Sequence, residues 1–136
     1  MKKAGFLLLI TFILGCGSNG TINNCFPFIN MNETIDIDLP QYLDLQVPSG
    51  HVSTTLSGRR VIIIRRSSTF QAFDLKCPEQ DCSTPMSFDG LKMKCPCDNS
   101  EYNSLNGSAL TEGFSCFAKE YLVEPLNGSI LRISNF

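Results

Sequence analysis

Apolar side chains recur at every second position in two adjacent segments after residue 33. Residues 34–39 (TIDIDL) and residues 42–47 (YLDLQV) each place aliphatic residues at alternate positions. This period of two is typical of strands that bury one face. Pro40 follows the first segment and Pro48 the second, and proline lacks the backbone donor that a continuing strand needs. We therefore predict two half-buried strands.

Four further segments have the length and composition of strands: residues 59–66 (RRVIIIRR), 69–76 (TFQAFDLK), 120–126 (EYLVEPL) and 129–134 (SILRIS). The last two are joined through Asn127 and Gly128, a dipeptide that favours a hairpin turn. Helical periodicity is weak. Several short strands with frequent turns predict an all-β fold, either a small antiparallel sandwich or a partial barrel.

The amino terminus has the pattern of an export signal. Lys2 and Lys3 precede an apolar run at residues 5–14, which is too short to span a bilayer but suits the core of a signal peptide. The run leads into ILGC, which resembles the lipobox of bacterial lipoproteins and implies cleavage before Cys16 and acylation of its sulfur. The alternative is an ordinary signal peptide followed by an unrelated cysteine.

These features divide the chain into three expected parts. Residues 1–15 are predicted to be a lipoprotein signal peptide, residues 16–32 the acylated Cys16 with a flexible tether, and residues 33–136 the β domain. A lipid anchor would hold the protein on a membrane of the bacterial cell envelope, facing the periplasm or the exterior.

The charge balance argues against one class of partner. Without Lys2 and Lys3 the 11 basic residues become 9, against 13 acidic residues, which gives a net charge of −4. The arginine pairs on either side of residues 61–64 are expected to be the solvated ends of a strand. Nucleic-acid-binding domains concentrate basic residues on one face, so no nucleic-acid partner is expected.

Export also changes how the cysteines are interpreted. Thiols outside the cytosol tend to pair, whereas the same spacing inside a cell would favour zinc. Besides Cys16 the chain has six cysteines, namely Cys25, Cys77, Cys82, Cys95, Cys97 and Cys116. Six cysteines allow about 15 complete pairings, so the count alone leaves the connectivity open.

Two cysteine-containing segments carry a family resemblance. Residues 77–82 (CPEQDC) and 95–102 (CPCDNSEY) resemble the boxes of Rieske iron–sulfur domains, C-x-H-x-x-C and C-P-C-H-x-S-x-[FY]. The likeness extends over roughly residues 33–134, through segments such as FQAFDLKCP and LNGSALTEG. It implies a Rieske-like antiparallel β sandwich or partial barrel that carries a two-loop subdomain of the cluster-binding type.

The resemblance also implies roles for the four cysteines of these boxes. Cys77 and Cys95 stand at the places of the two thiolate ligands of a [2Fe–2S] cluster. Cys82 and Cys97 stand at the places of a disulfide that ties the two loops together.

Other positions both match and depart from the family. Ser100 and Tyr102 match the hydroxyl groups that hydrogen-bond the cluster sulfurs and tune the potential. Glu79 and Asp98, however, occupy both positions where the family has histidine ligands. The Gly-x-Pro segment that usually shields the cluster is replaced by residues 113–116 (GFSC).

The two carboxylates change the expected cofactor chemistry. Imidazole is a neutral ligand, so replacing two imidazoles by two carboxylates adds negative charge and weakens the hold on a sulfide-bridged iron. The single histidine, His51, lies in the segment VPSGHVS, where we predict an exposed turn. We therefore expect no cofactor, with a [2Fe–2S] cluster as the alternative, and we expect solvated carboxylates at Glu79 and Asp98.

Without a cluster, the resemblance suggests a second bridge between the loops. Cys77 and Cys95 bind one iron in the family geometry, so their sulfurs would lie close enough to oxidise to each other. Cys25 and Cys116 then remain as a third pair.

Three function classes follow. The first is a membrane-anchored, cluster-free, disulfide-stapled Rieske-like module that serves a structural or interaction role with an unknown protein partner. The second is a [2Fe–2S] electron-transfer protein with carboxylate ligands, which is the form any oxidoreductase activity would take. The third is a thiol–disulfide redox protein that uses Cys95 and Cys97. Zinc on the four box cysteines is a weaker alternative, and hydrolase or transferase motifs are absent from the sequence.

Overall fold

The computed structural model describes residues 25–79 and 81–136, which form nine strands and one 3₁₀ helix. The strands are β1 (Asn32–Asp36), β2 (His51–Leu56), β3 (Arg59–Arg65), β4 (Phe70–Asp74), β5 (Ser87–Phe88), β6 (Lys92–Lys94), β7 (Glu101–Asn103), β8 (Glu120–Asn127) and β9 (Ile130–Ser134). The 3₁₀ helix spans Pro40–Gln46, between β1 and β2. The predicted all-β class is confirmed.

The larger of two sheets has six antiparallel strands in the order β1-β9-β8-β4-β3-β2. The predicted hairpin is present, since β8 pairs with β9, but Asn127 is paired with Ile130 and the turn consists of Gly128 and Ser129. Strand β4 connects the two halves of the sheet because it pairs with β3 on one side and with the first residues of β8 on the other.

Strand β3 is covered on both faces, which explains its unbroken apolar run. Val61 and Ile63 contribute to one hydrophobic core, and Ile62 and Ile64 contribute to another. Successive side chains of a strand point to opposite faces, so the four residues divide evenly between the two cores. The first core lies against the 3₁₀ helix, and the second supports the cysteine loops.

The second core joins the large sheet to a small sheet of three strands, β5-β6-β7. Phe73 from β4, Met93 from β6 and Tyr102 from β7 are fully buried in it, together with Cys77 and Cys95. The loop between β4 and β5 carries the first cysteine box, and the hairpin loop between β6 and β7 carries the second. The two loops therefore rest on the same buried cluster.

One predicted strand is wrong. Residues 42–46 lie in a 3₁₀ helix and not in a strand, Val47 follows the helix, and only Tyr42 and Leu45 of this helix are buried. Side chains three apart share a face of a 3₁₀ helix, so this spacing fits the helix, and Leu43 and Val47 are accordingly exposed. Pro40 begins the helix because its fixed φ suits the first turn.

Strand β2 was not predicted from the sequence, because it has few large apolar residues. His51 was predicted in a turn, but it is the first residue of β2. It is exposed as expected, and its ring packs edge-on against Phe88 of β5 with 4.8 Å between ring centroids. The short strands β5, β6 and β7 were also missed.

The amino-terminal predictions fall largely outside the described residues. Cys16 and the whole predicted signal peptide are outside the described residues. Of the predicted tether, residues 25–32 are described, and Met31 is 1% exposed and packs in the first core. Asn135 Nδ2 also donates a hydrogen bond to the Ile29 carbonyl oxygen, 2.6 Å away, so the packed part of the chain begins before residue 33. Among the described residues no helix has the length and hydropathy needed to cross a membrane.

A buried carboxylate ties three strands of the large sheet together. Asp74 of β4 is 1% exposed and accepts hydrogen bonds from Arg59 Nε of β3 at 2.7 Å and from the Tyr121 hydroxyl of β8 at 2.8 Å. Burial, together with the negative charge of Asp74, raises the pKa of Tyr121 well above its ordinary value. Tyr121 therefore stays a neutral donor to this carboxylate.

Candidate functional site at the cysteine loops

Two disulfides join the loops that carry the cysteine boxes. Cys77 bonds to Cys95 with an S–S distance of 2.10 Å, and Cys82 bonds to Cys97 with an S–S distance of 2.00 Å. The Cα atoms of the two pairs are 5.6 and 5.8 Å apart. The structure thus brings together the same pairs that the sequence analysis named.

The two bridges are also close to each other. The sulfurs of Cys77, Cys82 and Cys95 all lie within 4.8 Å of one another. These three cysteines are at most 1% exposed, whereas Cys97 is exposed on the tip of its loop. The site is therefore a compact sulfur cluster with one solvent-facing member.

The second loop is a tight hairpin whose backbone closes on itself. The Cys95 amide donates to the Ser100 carbonyl oxygen at 2.9 Å, and the Asn99 amide donates to the Cys95 carbonyl oxygen at 3.0 Å. Asn99 has φ of 60°, a left-handed conformation that asparagine tolerates better than most residues. These hydrogen bonds close the turn that carries Cys95 and Cys97.

Asp98 uses its carboxylate within the same loop. Its Oδ1 atom accepts a hydrogen bond from the Ser100 hydroxyl at 2.6 Å and another from the Ser100 amide at 2.8 Å. The Ser100 hydroxyl, followed by the Ser100 amide, lowers the pKa of Asp98 below its ordinary value because both donors stabilise the charged form. Asp98 is only partly buried, so one of its carboxylate oxygens is engaged within the loop, a contact that the expectation of a solvated carboxylate did not include. The spacing Asp-x-Ser, which favours an Asx turn, was the signal that could have indicated this pairing.

Glu79, the other carboxylate at a family histidine position, is exposed on the first loop. The residue before the first box is anchored to that loop, since Lys76 Nζ donates to the Cys82 carbonyl oxygen at 2.6 Å. A positive charge thus lies next to Cys82.

Tyr102 is fully buried and lies in the same hydrophobic core as the three buried cysteines of the site. Its hydroxyl group makes no hydrogen bond of ordinary geometry with any described residue. Burial raises the pKa of Tyr102; the nearby Ser100 side chain opposes this shift, and the negative charges of Asp98, Glu79 and Asp81 add to it. The site therefore contains one buried donor that the described residues leave unsatisfied.

A third disulfide lies elsewhere in the chain. Cys25 bonds to Cys116 with an S–S distance of 2.08 Å across a sequence separation of 91 residues. It attaches the segment before β1 to the segment 113–116, which replaces the Gly-x-Pro segment of the family pattern.

No family model matches the chain, and a search of curated proteins also finds no match. Solved structures do match. A ferredoxin of carbazole 1,9a-dioxygenase from Nocardioides aromaticivorans IC177 has a TM-score of 0.53 at 14% identity, over 78% of this chain and 99% of the ferredoxin. A candidate NADH-dependent nitrite reductase small subunit from Mycobacterium tuberculosis has a TM-score of 0.51 at 15% identity, over 80% of this chain and 98% of that one.

A third match is a structure described as the complex of reduced oxygenase and oxidized ferredoxin in carbazole 1,9a-dioxygenase. Its TM-score is 0.50 at 14% identity, over 76% of this chain and 93% of the matched chain. Such low identities show the fold and not the activity. The chain has an all-β Rieske-like fold, as the cysteine boxes predicted.

Proposed function

We propose that this protein is a membrane-anchored Rieske-like domain that works without an iron–sulfur cluster, as a disulfide-stapled interaction module. One observation supports this proposal most directly: the groups at the cluster positions bind one another. Cys77 is bonded to Cys95, and Asp98 holds the Ser100 hydroxyl and amide.

The donor set does not fit a Rieske-type cluster. Both candidate thiolates are consumed in one bridge, and two carboxylates stand where neutral imidazoles are needed. In the family pattern the Ser100 hydroxyl donates a hydrogen bond to a cluster sulfur. Here it donates that hydrogen bond to Asp98. Releasing Ser100 would cost the charge-assisted hydrogen bond that stabilises the Asp98 carboxylate.

The bridges supply rigidity in place of a cluster. They span sequence separations of 18 and 15 residues. In the chain-entropy model each stabilises the fold by about 3 kcal/mol. A loop that is already ordered loses less entropy when it binds a partner, so a stapled tip favours recognition. The tip exposes Glu79, Asp81, Pro96 and Cys97 to solvent.

A protein partner is supported by one of the structural neighbours. That neighbour is described as a ferredoxin in complex with its oxygenase, so the same fold docks onto a protein there. For this chain, we place the docking surface at the stapled tip and the anchor at Cys16.

The first experiment measures iron, acid-labile sulfide and free thiols on the exported protein, purified without oxygen. We expect no stoichiometric iron or sulfide and no free thiols among the four box cysteines. Iron and sulfide near two atoms of each per chain would overturn the proposal.

The positive control is the double substitution Glu79→His with Asp98→His, made in the same chain. All four cysteines and both hydroxyl residues are already in place, so this variant has the full family ligand set. Under anaerobic reconstitution we expect Rieske-like absorption in the variant and none in the parent. Each single substitution supplies only one imidazole and should stay colourless.

A second experiment tests the docking surface. A photo-crosslinking residue at Asp81 on the tip should give a discrete adduct with one protein in the native envelope. The same residue at Asn127, the exposed last residue of β8, provides the matched control. Equal crosslinking from both positions would contradict docking at the tip.

The unsatisfied Tyr102 hydroxyl favours a second candidate, a [2Fe–2S] electron-transfer protein with carboxylate ligands. A buried unsatisfied donor is costly, and a cluster sulfur would be an acceptor for it. The added negative charge would disfavour the reduced cluster. The potential should then fall below the Rieske range of roughly −150 to +300 mV. Iron and sulfide analysis of the parent separates the two candidates.

A further inference from the structure

The two bridges between the cysteine loops differ sharply in accessibility. Cys77 and Cys95, which form the inner bridge, are 1% and 0% exposed. In the outer bridge Cys82 is 1% exposed, but Cys97 lies at the surface. A thiol in solution can therefore reach the sulfur of Cys97 far more easily than the other three sulfurs.

The two bridges are within exchange distance of each other. The Cys82 sulfur lies within 4.8 Å of both sulfurs of the inner bridge. Disulfides exchange when a thiolate attacks one sulfur of a bridge and displaces the other as a new thiolate. A thiolate at Cys82 would need to move only about 1 Å to come into van der Waals contact with the inner bridge.

The surroundings of Cys82 favour such a thiolate. Lys76 Nζ lies 2.6 Å from the carbonyl oxygen of Cys82 itself, which brings a positive charge next to the residue. A neighbouring cation stabilises a thiolate and so makes it a better leaving group.

We propose that the two bridges act as one thiol–disulfide exchange unit, in which electrons from a dithiol partner enter at Cys97 and pass through Cys82 to the inner pair. The proposal rests on the inner pair being bridged, which is part of the proposed function. It differs from a redox pair formed by Cys95 and Cys97, because those two cysteines belong to different bridges.

The exchange proceeds in three balanced steps. A thiolate of the partner attacks Cys97, forms a mixed disulfide and releases Cys82 as a thiolate. Cys82 then attacks one sulfur of the inner bridge, which leaves Cys82 bonded to Cys77 or Cys95 and frees the other cysteine. The partner's second thiolate displaces Cys97, so the partner ends as a disulfide. Two cysteines of this chain end as thiols, and two electrons have been transferred.

The first test needs no substitution. One equivalent of dithiothreitol is added to the parent protein, the reaction is quenched with acid, and free thiols are alkylated and mapped by mass spectrometry. We expect label on Cys97 together with Cys77 or Cys95. Label confined to Cys82 and Cys97 would show that no exchanged bridge accumulates, and together with an unchanged rate in the rate measurement below it would contradict the exchange.

The second test uses single substitutions as a matched pair. Cys97→Ser leaves Cys82 unpaired beside the inner bridge, and we expect part of the label to appear on Cys77 or Cys95. Cys82→Ser leaves Cys97 unpaired at the surface, and we expect label on Cys97 alone. Identical behaviour, with only the unpaired cysteine labelled in each variant, would count against the proposal.

A rate measurement covers the case in which the exchanged bridge is too unstable to accumulate. Reduction of the inner bridge by excess dithiothreitol should be at least about tenfold slower in the double variant Cys82→Ser with Cys97→Ser, since direct access to buried sulfurs is poor. An equal or faster rate in a folded double variant overturns the proposal. Iron is measured in the same samples, so that a bound cluster, which would refute the proposed function instead, is recognised separately.

Discussion

At the scale of single residues, Asp98 turns a metal-ligand position into a local hydrogen-bond acceptor. A carboxylate two residues before Ser100 can take both the amide and the hydroxyl of that serine, whereas the histidine of the family pattern is a metal ligand. Aspartate at this position therefore supplies no imidazole and also engages a second group of the same site, the Ser100 hydroxyl.

The lowered pKa of Asp98 predicts a pH-dependent contribution to stability. A carboxylate with a depressed pKa in the folded state stabilises the fold above its ordinary pKa of 3.8 and loses that contribution as the pH falls through the lower folded value. The parent should be more stable than Asp98→Ala at pH 6, and the difference in unfolding free energy should shrink below pH 3.8. Urea unfolding of both proteins, from pH 6 to below pH 3.8, measures this difference in unfolding free energy. A difference that stays constant with pH would contradict the assignment.

Tyr102 and Tyr121, which are 0% and 2% exposed, are predicted to respond in opposite ways to loss of the hydroxyl group. Tyr102→Phe removes a donor that no described residue satisfies, so stability should stay equal or rise by up to about 1 kcal/mol. Tyr121→Phe removes a donor to Asp74 and should lower stability by about 1 to 3 kcal/mol, because the acceptor is charged. Denaturant unfolding of the pair compares them directly. A loss at Tyr102 as large as that at Tyr121 would mean that its hydroxyl has a partner.

At the scale of elements, the large sheet depends on polar contacts inside its core as well as on apolar burial. Arg59 from β3, Asp74 from β4 and Tyr121 from β8 meet at one carboxylate oxygen, Asp74 Oδ2. These are the strands at which the two halves of the sheet join. The Lys76 amide donates to the other oxygen, Asp74 Oδ1, at 2.8 Å, so the charged group has three donors, which makes its burial tolerable.

Removal of this carboxylate should be costly. Asp74→Ala leaves the guanidinium of Arg59 without its ion-pair partner in a largely buried place, and we expect a loss of about 3 kcal/mol. Glu124→Ala provides the control, since Glu124 pairs with Arg132 while both side chains are more than 40% exposed. We expect that control to lose at most about 1 kcal/mol. Comparable losses in calorimetric or denaturant unfolding would show that burial does not distinguish the two pairs.

The 3₁₀ helix shows how an element can be misread from a local pattern. Leu43, Leu45 and Val47 alternate in sequence, but only Leu45 is buried. Tyr42 pairs with Leu45 on the buried face, and a period of three replaces the apparent period of two. The proline at the start of the segment was read as the end of a strand, although it also suits the first turn of a helix.

At the scale of the whole molecule, the proposed anchor defines where the domain works. Cys16 lies outside the described residues, and the prediction rests on the ILGC motif. The mature protein should begin at an acylated Cys16 and sediment with membranes, because diacylated or triacylated chains bind bilayers stably. Cys16→Ser should be unprocessed or soluble. Mass spectrometry that finds an unmodified amino terminus at another residue would refute the anchor.

The sequence by itself determined the fold class and the two loops that carry the site. Alternating apolar residues, turn dipeptides and the two cysteine boxes are local features, and local features specify strands and loops without reference to the rest of the chain. They were sufficient for β1, β3, β4, the β8–β9 hairpin and the Rieske-like fold.

Apart from the cysteine pairs, which the family resemblance implied, the tertiary structure alone decided which side chains meet. The sequence did not reveal that the Cys82 sulfur lies within 4.8 Å of the inner bridge, or that His51 packs on Phe88. It also did not show that the Tyr102 hydroxyl is left without a partner among the described residues. Each of these observations depends on side chains from separate elements. Their distances are set by how the two cysteine loops and the small sheet pack on the second core. Packing of that kind depends on the summed shapes of many side chains, so no local pattern in the sequence carries it.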